Sequence, residues 1–259
     1  MAQTTDSTRS GRDQFDAIYR DNVEAEARWL AYGAAAKVAS LQAVLAQARL
    51  RPRSLLELGC GTGAVICECQ RRGVADELTA MDYSEEAIAY LAAHSRGIRC
   101  VQADITATGV DLGGPYDVVV VSHVLEHLED PLAFLRSLLA HVQFRYLVAE
   151  VPLEDLWAAR LKGLVRDRTN NAAGHVQFYT RRSFRELVAH AGLVIDADRR
   201  YVPILPPEAI DLVAARRGFS RSRTLLTFAT QRWLPRMFGV LWERLYYAHY
   251  TVLARQSAG

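Results

Sequence analysis

Three glycines at alternate positions, Gly59, Gly61 and Gly63, follow directly on the apolar run Leu55, Leu56 and Leu58 and precede the apolar, helix-compatible segment from Ala64 to Cys69. Glycine accepts left-handed backbone and keeps a Cβ out of the way of anything lying against the turn. A strand, a glycine turn and a helix in that order open many nucleotide-binding α/β folds. The spacing is G-x-G-x-G and not the dinucleotide G-x-G-x-x-G. Glu57, two residues before Gly59, adds a carboxylate at the strand end. That charge repels a pyrophosphate and suits a cationic or zwitterionic ligand.

The remaining pattern alternates strands with helices. Leu78 to Met81 reads as a strand ending at Asp82, after which Ser84 caps a helix carrying Glu85 and Glu86 in its first turn. Ile98 to Gln102 is a third strand, ending near Asp104. Tyr116 to Val121 is a continuous β-branched run, the signature of a strand buried on both faces of a parallel sheet. Asp130-Pro131 starts the next helix, Arg145 to Val151 is a fifth strand, Thr180 caps another helix, Leu193 to Ile195 opens a sixth strand and Ala248 to Ala254 is the last. The prediction is an α/β fold, a doubly wound and mostly parallel seven-stranded sheet. Its expected divisions are a disordered leader (1–13), an N-terminal helical cap (14–52), an α/β core (53–201), a helical insertion (202–246) and a last strand with its tail (247–259). Within the cap, Gln14 to Tyr19 reads as a separate turn and Val23 to Leu50 as a long helix.

At 259 residues and 50% hydrophobic, the chain can build one large α/β domain. No uninterrupted apolar run of about 20 residues occurs, so no stable membrane insertion is expected. The polar N-terminus predicts a cytoplasmic protein. Cys60, Cys67, Cys69 and Cys100 lack zinc-site spacing and are expected to be reduced thiols. The net charge is +2, acidic up to residue 150 and basic beyond it. Arginines at 160, 166, 168, 181 and 182 are candidates for meeting an anionic substrate. Arg216, Arg217, Arg221 and Arg223 supply charge without a nucleic-acid module, so no nucleic acid is expected as a partner.

Leu-Glu-Leu-Gly-Cys-Gly-Thr-Gly at 56–63 closely resembles motif I of the class I S-adenosylmethionine-dependent methyltransferases. Ser122 to Pro131 resembles the segment after strand four in the members acting on small molecules, including the ubiquinone-type O-methyltransferases. His175 to Thr180 resembles a substrate-side stretch of the same group. In a doubly wound sheet a ligand sits at the carboxyl ends of the strands. Asp82, at such an end, offers two oxygens to a ribose diol. Asp104 is placed for an adenine amino group, with Ile105 against the ring, and the resemblance implies the same two roles.

The expected cofactor is S-adenosylmethionine. Its expected contacts are Glu57, Gly59, Cys60, Gly61, Gly63, Asp82, Tyr83, Asp104, Ile105 and Ser122, with Tyr19 closing over it. Tyr32, Tyr179 and Arg168 are the expected substrate contacts. His127, His123 and His175 are the candidate general bases. His123 and His127 are four apart and share a face if their segment is helical. They have no evident third partner in sequence, so no metal is expected.

The expected reaction is methyl transfer to an oxygen or nitrogen of a small anionic or aromatic metabolite. A non-methyl reaction releasing methylthioadenosine and a catalytically silent cofactor-binding protein are the alternatives. A homodimer through 202–246 is the expected assembly.

Overall fold

The structure is a computed structural model that describes residues 11–104, 113–153, 174–239, 241–242 and 248–257. Its centre is a sheet of β1 (Ser54–Leu58), β2 (Glu77–Asp82), β3 (Ile98–Gln102), β4 (Tyr116–Ser122), β5 (Phe144–Leu153), β6 (Leu193–Tyr201) and β7 (Ala248–Gln256). The strand order is β3-β2-β1-β4-β5-β7-β6. β1 to β5 pair in parallel, and β7 inserts antiparallel between β5 and β6. The order reverses between β1 and β4, which opens the carboxyl edge there to a ligand.

Side-chain alternation in β4 explains the two packed layers. Val119 and Val121 join Leu56, Leu58, Leu147 and Ala149 on one face, covered by α4 (Pro131–His141) and α5 (Arg181–His190) through Phe134, Leu135, Leu138, Phe184 and Val188. Val118 and Val120 join Leu55 and Val148 on the other. There α1 (Gly11–Gln47), α2 (Ala64–Arg71) and α3 (Glu85–His94) cover the sheet. The capping predictions are met by geometry. Ser84 Oγ accepts from Ala87 N (3.3 Å), Asp130 Oδ1 accepts from Ala133 N (2.8 Å), and Thr180 forms a capping box with Ser183.

α1 is interrupted where the sequence suggested two pieces. Asn22 has extended backbone (φ −165°, ψ 79°), and its Oδ1 caps the following segment by accepting from Ala25 N at 2.9 Å. Beyond it the helix is not a separate cap. Val38, Leu41, Val44 and Leu45 are part of the core itself, packed with Leu55 and Leu253. The helix is long and apolar enough to cross a membrane by length and composition. Those four side chains nevertheless lie against the sheet, as in a core helix.

β6 continues to Tyr201, past the predicted opening, paired with β7 on both sides of a bulge between Ile195 and Ala197. Between them stand α6 (Pro207–Arg217), α7 (Arg221–Phe228), a π-turn at Ala229–Trp233 and α8 (Leu234–Phe238). This insertion reverses the chain so that β7 enters antiparallel.

Candidate active site

The turn after β1 is pinned to the end of β2. Gly59 N and Cys60 N both donate to the Met81 carbonyl, at 2.8 and 3.0 Å. Gly61 N donates to Asp82 Oδ2 at 2.7 Å, and Ser84 N donates to Oδ1 at 3.0 Å. Asp82, at the tip of β2, thereby fixes both the glycine turn and the entry to α3. Gly61 is left-handed (φ +53°), and a Cβ there would meet Tyr19 Oη at 2.5 Å. Tyr19, buried on α1, lies directly over the turn. Burial and then the Asp82 charge push its hydroxyl pKa well above the ordinary value. A Cβ on Gly59 (φ +68°) would meet Val124 Cγ2 at 2.5 Å, which brings the segment after β4 against the same turn.

Three buried oxygens in these elements have no hydrogen-bond partner: Glu57 Oε2, Thr62 Oγ1 and Ser122 Oγ. An orphaned buried polar atom is costly and marks a place that a ligand can satisfy. Glu57 is 2% exposed. Burial raises its pKa to about 8, against the opposing effects of Lys37 and a hydrogen bond from the Ile66 backbone. An ammonium brought to that carboxylate compensates for its burial. Asp104 follows β3 on the same edge, where the register sets Asp82 beside Gln102. A glycine cradle, an acid at the tip of β2 that fixes it and a carboxylate with one unsatisfied oxygen fit an adenosyl sulfonium carrying an amino acid.

The segment after β4 departs from the sequence expectation. His123 is left-handed (φ 58°), and a short 3-10 turn begins only at Leu125. His123 and His127 therefore do not share a helix face. His123 turns toward β5 and β7. Its Nε2 lies 3.2 Å from Glu150 Oε1 and 3.1 Å from His249 Nδ1, and its Nδ1 lies 2.9 Å from Glu126 Oε1. His127 faces the strand-like segment from Gly174, with Nδ1 3.1 Å from the Gly174 carbonyl oxygen. His175 packs edge-on to it, ring centroids 5.1 Å apart. The backbone N–H groups of Val176 and Gln177 donate to the Glu126 carbonyl at 2.9 and 3.0 Å and hold the two segments together.

Glu126 is fully buried beneath these histidines. Burial pushes its pKa up, but His123 beside it, with His127 and His175, brings it down to about 2. His127 is held below the ordinary histidine value by burial, an effect partly offset by Glu126.

A family model described as a methyltransferase domain matches residues 27–197. The chain belongs to the class I S-adenosylmethionine-dependent methyltransferases. The ubiquinone biosynthesis O-methyltransferase of Caulobacter vibrioides is 37% identical over 99 residues, a match spanning 36% of this chain and 37% of that relative. A chain from the complex of the Haloferax volcanii Trm112 methyltransferase activator with its methyltransferase superposes with a TM-score of 0.61 at 15% identity, covering 96% of this chain and 99% of that one. The [4+2]-cyclase SpnF superposes at 0.54 with 16% identity, covering 84% and 80%. These structural likenesses establish the fold.

Among the remaining expected contacts, one is taken up by the fold itself. Tyr179 is a core residue, 6% exposed, with its hydroxyl donating to the Leu125 carbonyl at 3.2 Å and its ring edge-on to Phe184. Its role is to hold the strap at 174–180 onto the 3-10 turn. Tyr32 is half-buried on α1. Arg181 is paired with Asp198 (2.6 Å) and Arg182 with Glu186 (2.8 Å), so acids of the chain already engage both. Tyr83 follows Asp82, half-exposed. Ile105 and Arg168 lie outside the described residues. The sequence reading missed Glu126, Glu150, Tyr201 and His249. Glu126 was inside a motif already singled out. The other three become neighbours of His123 only through strand pairing.

Proposed function

We propose that the protein transfers the methyl group of S-adenosylmethionine to a hydroxyl or amine of a small aromatic metabolite, with His127 as general base. The cofactor, when bound, supplies a methyl group already activated by its sulfonium. The observation that carries the proposal is the contact of His127 Nδ1 with the Gly174 carbonyl. A carbonyl only accepts, so Nδ1 carries the proton and Nε2 is the basic nitrogen. Burial keeps that ring neutral at pH 7. The Glu126 carboxylate, charged beneath it, stabilises the imidazolium formed when the acceptor loses its proton. His123 has carboxylates or an imidazole at both ring nitrogens and serves as a link, with His175 as a neighbour that orients His127. Positioning by the glycine turn, Tyr19 and the strap at 174–180 supplies the rest.

An oxygen acceptor is favoured by the likeness to the Caulobacter vibrioides ubiquinone biosynthesis O-methyltransferase over 99 residues. Unpaired cysteines at 60, 67, 69 and 100 support a reducing, cytoplasmic setting. Exposed apolar side chains on 202–246 support a homodimer through that insertion.

The test is product analysis with a panel of phenols and amines. Methyl transfer yields S-adenosylhomocysteine and methylated acceptor. His127→Ala is expected to lower kcat/KM by about 10²–10⁴-fold while leaving cofactor affinity unchanged. Methylthioadenosine released without an acceptor would replace this reading with the non-methyl reaction.

A further inference from the structure

We propose that His123, Glu150 and His249 form a divalent-metal site suited to Zn²⁺, with the Tyr201 hydroxyl at its fourth corner. The residues come from four strands' ends and share no sequence spacing. His123 follows β4, Glu150 lies in β5, His249 starts β7 and Tyr201 ends β6. The register makes them neighbours: Ser122 pairs with Glu150, Glu150 with Thr251, and His249 with Tyr201.

The distances have the form of a coordination shell. His123 Nε2 is 3.1 Å from His249 Nδ1 and 3.2 Å from Glu150 Oε1, and His249 Nδ1 is 3.5 Å from that same oxygen. Tyr201 Oη is 3.0 Å from Glu150 Oε1 and 3.3 Å from His249 Nδ1. Zinc–ligand bonds of about 2.0–2.1 Å give a tetrahedron with edges of about 3.3 Å. Two hydrogen bonds, Tyr201 Oη to Glu150 Oε1 and one between the facing imidazole nitrogens, link the atoms in pairs and leave the remaining close contacts without a proton between them. One dication at the centre satisfies all four atoms at once.

The outer contacts also have the pattern of a metal centre. The other nitrogen of His123, Nδ1, lies 2.9 Å from Glu126 Oε1, without the alignment of a hydrogen bond, on the side where a carboxylate stands behind a metal-bound histidine. The second oxygen of Glu150 accepts from Thr251 Oγ1 at 2.6 Å, and Thr251 is linked at 2.8 Å to Ser40 on α1. Glu150, His249 and Tyr201 are 3%, 8% and 5% exposed, and the His123 side chain is 19% exposed. The left-handed backbone of His123 costs free energy and persists where surrounding structure demands it. Here it is the bend that delivers the imidazole to the cluster. Two carboxylates, Glu126 and Glu150, face the histidines, with the Lys37 ammonium acting on both rings and Arg199 lying over Tyr201.

The test uses the full chain, stripped with a chelator and then titrated with Zn²⁺ by calorimetry and with Co²⁺ by visible absorption. The expected result is one Zn²⁺ per chain and the intense visible bands of tetrahedral Co²⁺. His249→Ala and Glu150→Gln are expected to weaken Zn²⁺ binding by tenfold or more, and Tyr201→Phe by less. His175→Ala belongs to a neighbouring trio with Glu126 and His127 and is expected to keep wild-type affinity. Absence of Zn²⁺ binding by the wild type overturns the proposal, as do Co²⁺ spectra without tetrahedral bands. So does unchanged affinity in folded His249→Ala, or a loss in His175→Ala with retention in His249→Ala. Circular dichroism reports folding of each variant, and the wild-type Co²⁺ spectrum decides the matter even if a variant does not fold.

Discussion

Glu57 is where a single side chain couples cofactor, stability and pH. It is buried in β1, with its pKa raised to about 8 by burial and one oxygen without a partner. Its value in the unfolded chain is the ordinary 4.5. Between those two values the folded protein holds the proton and the unfolded chain has lost it. Folding stability contributed by this group is therefore full below pH 4.5 and declines as pH rises through 8. Glu57→Gln has no such slope, so its stability is expected to gain on the wild type across that window, by the order of a few kcal/mol at pH 8, read as a rising difference in melting temperature. Parallel melting curves against pH for the two proteins would remove Glu57 as the cause. With the cofactor ammonium brought to this carboxylate, binding is expected to release a proton near pH 7, because an ammonium partner favours the ionised form. Calorimetric titration of S-adenosylmethionine in two buffers of different ionisation enthalpy is expected to give different heats. Equal heats would mean that Glu57 does not meet the amino group.

At the scale of elements, the turn after β1 and the segment after β4 act as one unit. Gly59 has φ +68°, and Val124 fills the space where its Cβ would be. Gly59→Ala is expected to push that segment away, with a cost of about 1–3 kcal/mol and weaker cofactor binding. Val124→Ala, added to it, should recover part of the loss by removing the collision. Strict additivity of the two changes would show that the elements are not coupled. This coupling also explains what could be read in advance. Gly59, Asp82, Ser84, Asp130 and Thr180 act on neighbours a few residues away or at the tip of an adjacent strand, so spacing alone revealed them. His123 could not be assigned from spacing, because its left-handed backbone breaks the helix that a four-residue interval suggested. Glu150, His249 and Tyr201 were invisible for a different reason. Their meeting depends on β7 passing antiparallel between β5 and β6, and no local pattern encodes that register. Tyr179 was misplaced because a tyrosine before a cap reads the same whether its ring faces a ligand or the core.

For the molecule as a whole, the two sides of the sheet are closed and the insertion between β6 and β7 is not. α7 has no buried residue, while Leu226 is 63% and Met237 73% exposed, with Leu225, Trp233, Phe238 and Leu241 nearby in the same segment. Large exposed apolar side chains concentrated in one segment are the mark of an interface. The homodimer proposed above would cover these side chains, since a two-fold pairing buries the same residues on both partners. Leu226→Ser combined with Met237→Ser is therefore expected to convert a dimer to a monomer in sedimentation velocity. The melting temperature of the monomer should differ from that of the dimer only through lost association, because neither side chain supports the core of its own chain. Cofactor affinity should be unchanged, since the glycine turn and Asp82 lie at β1 and β2, in the other half of the sheet. Sedimentation of the wild type as a monomer at every concentration tested would assign the insertion to another surface.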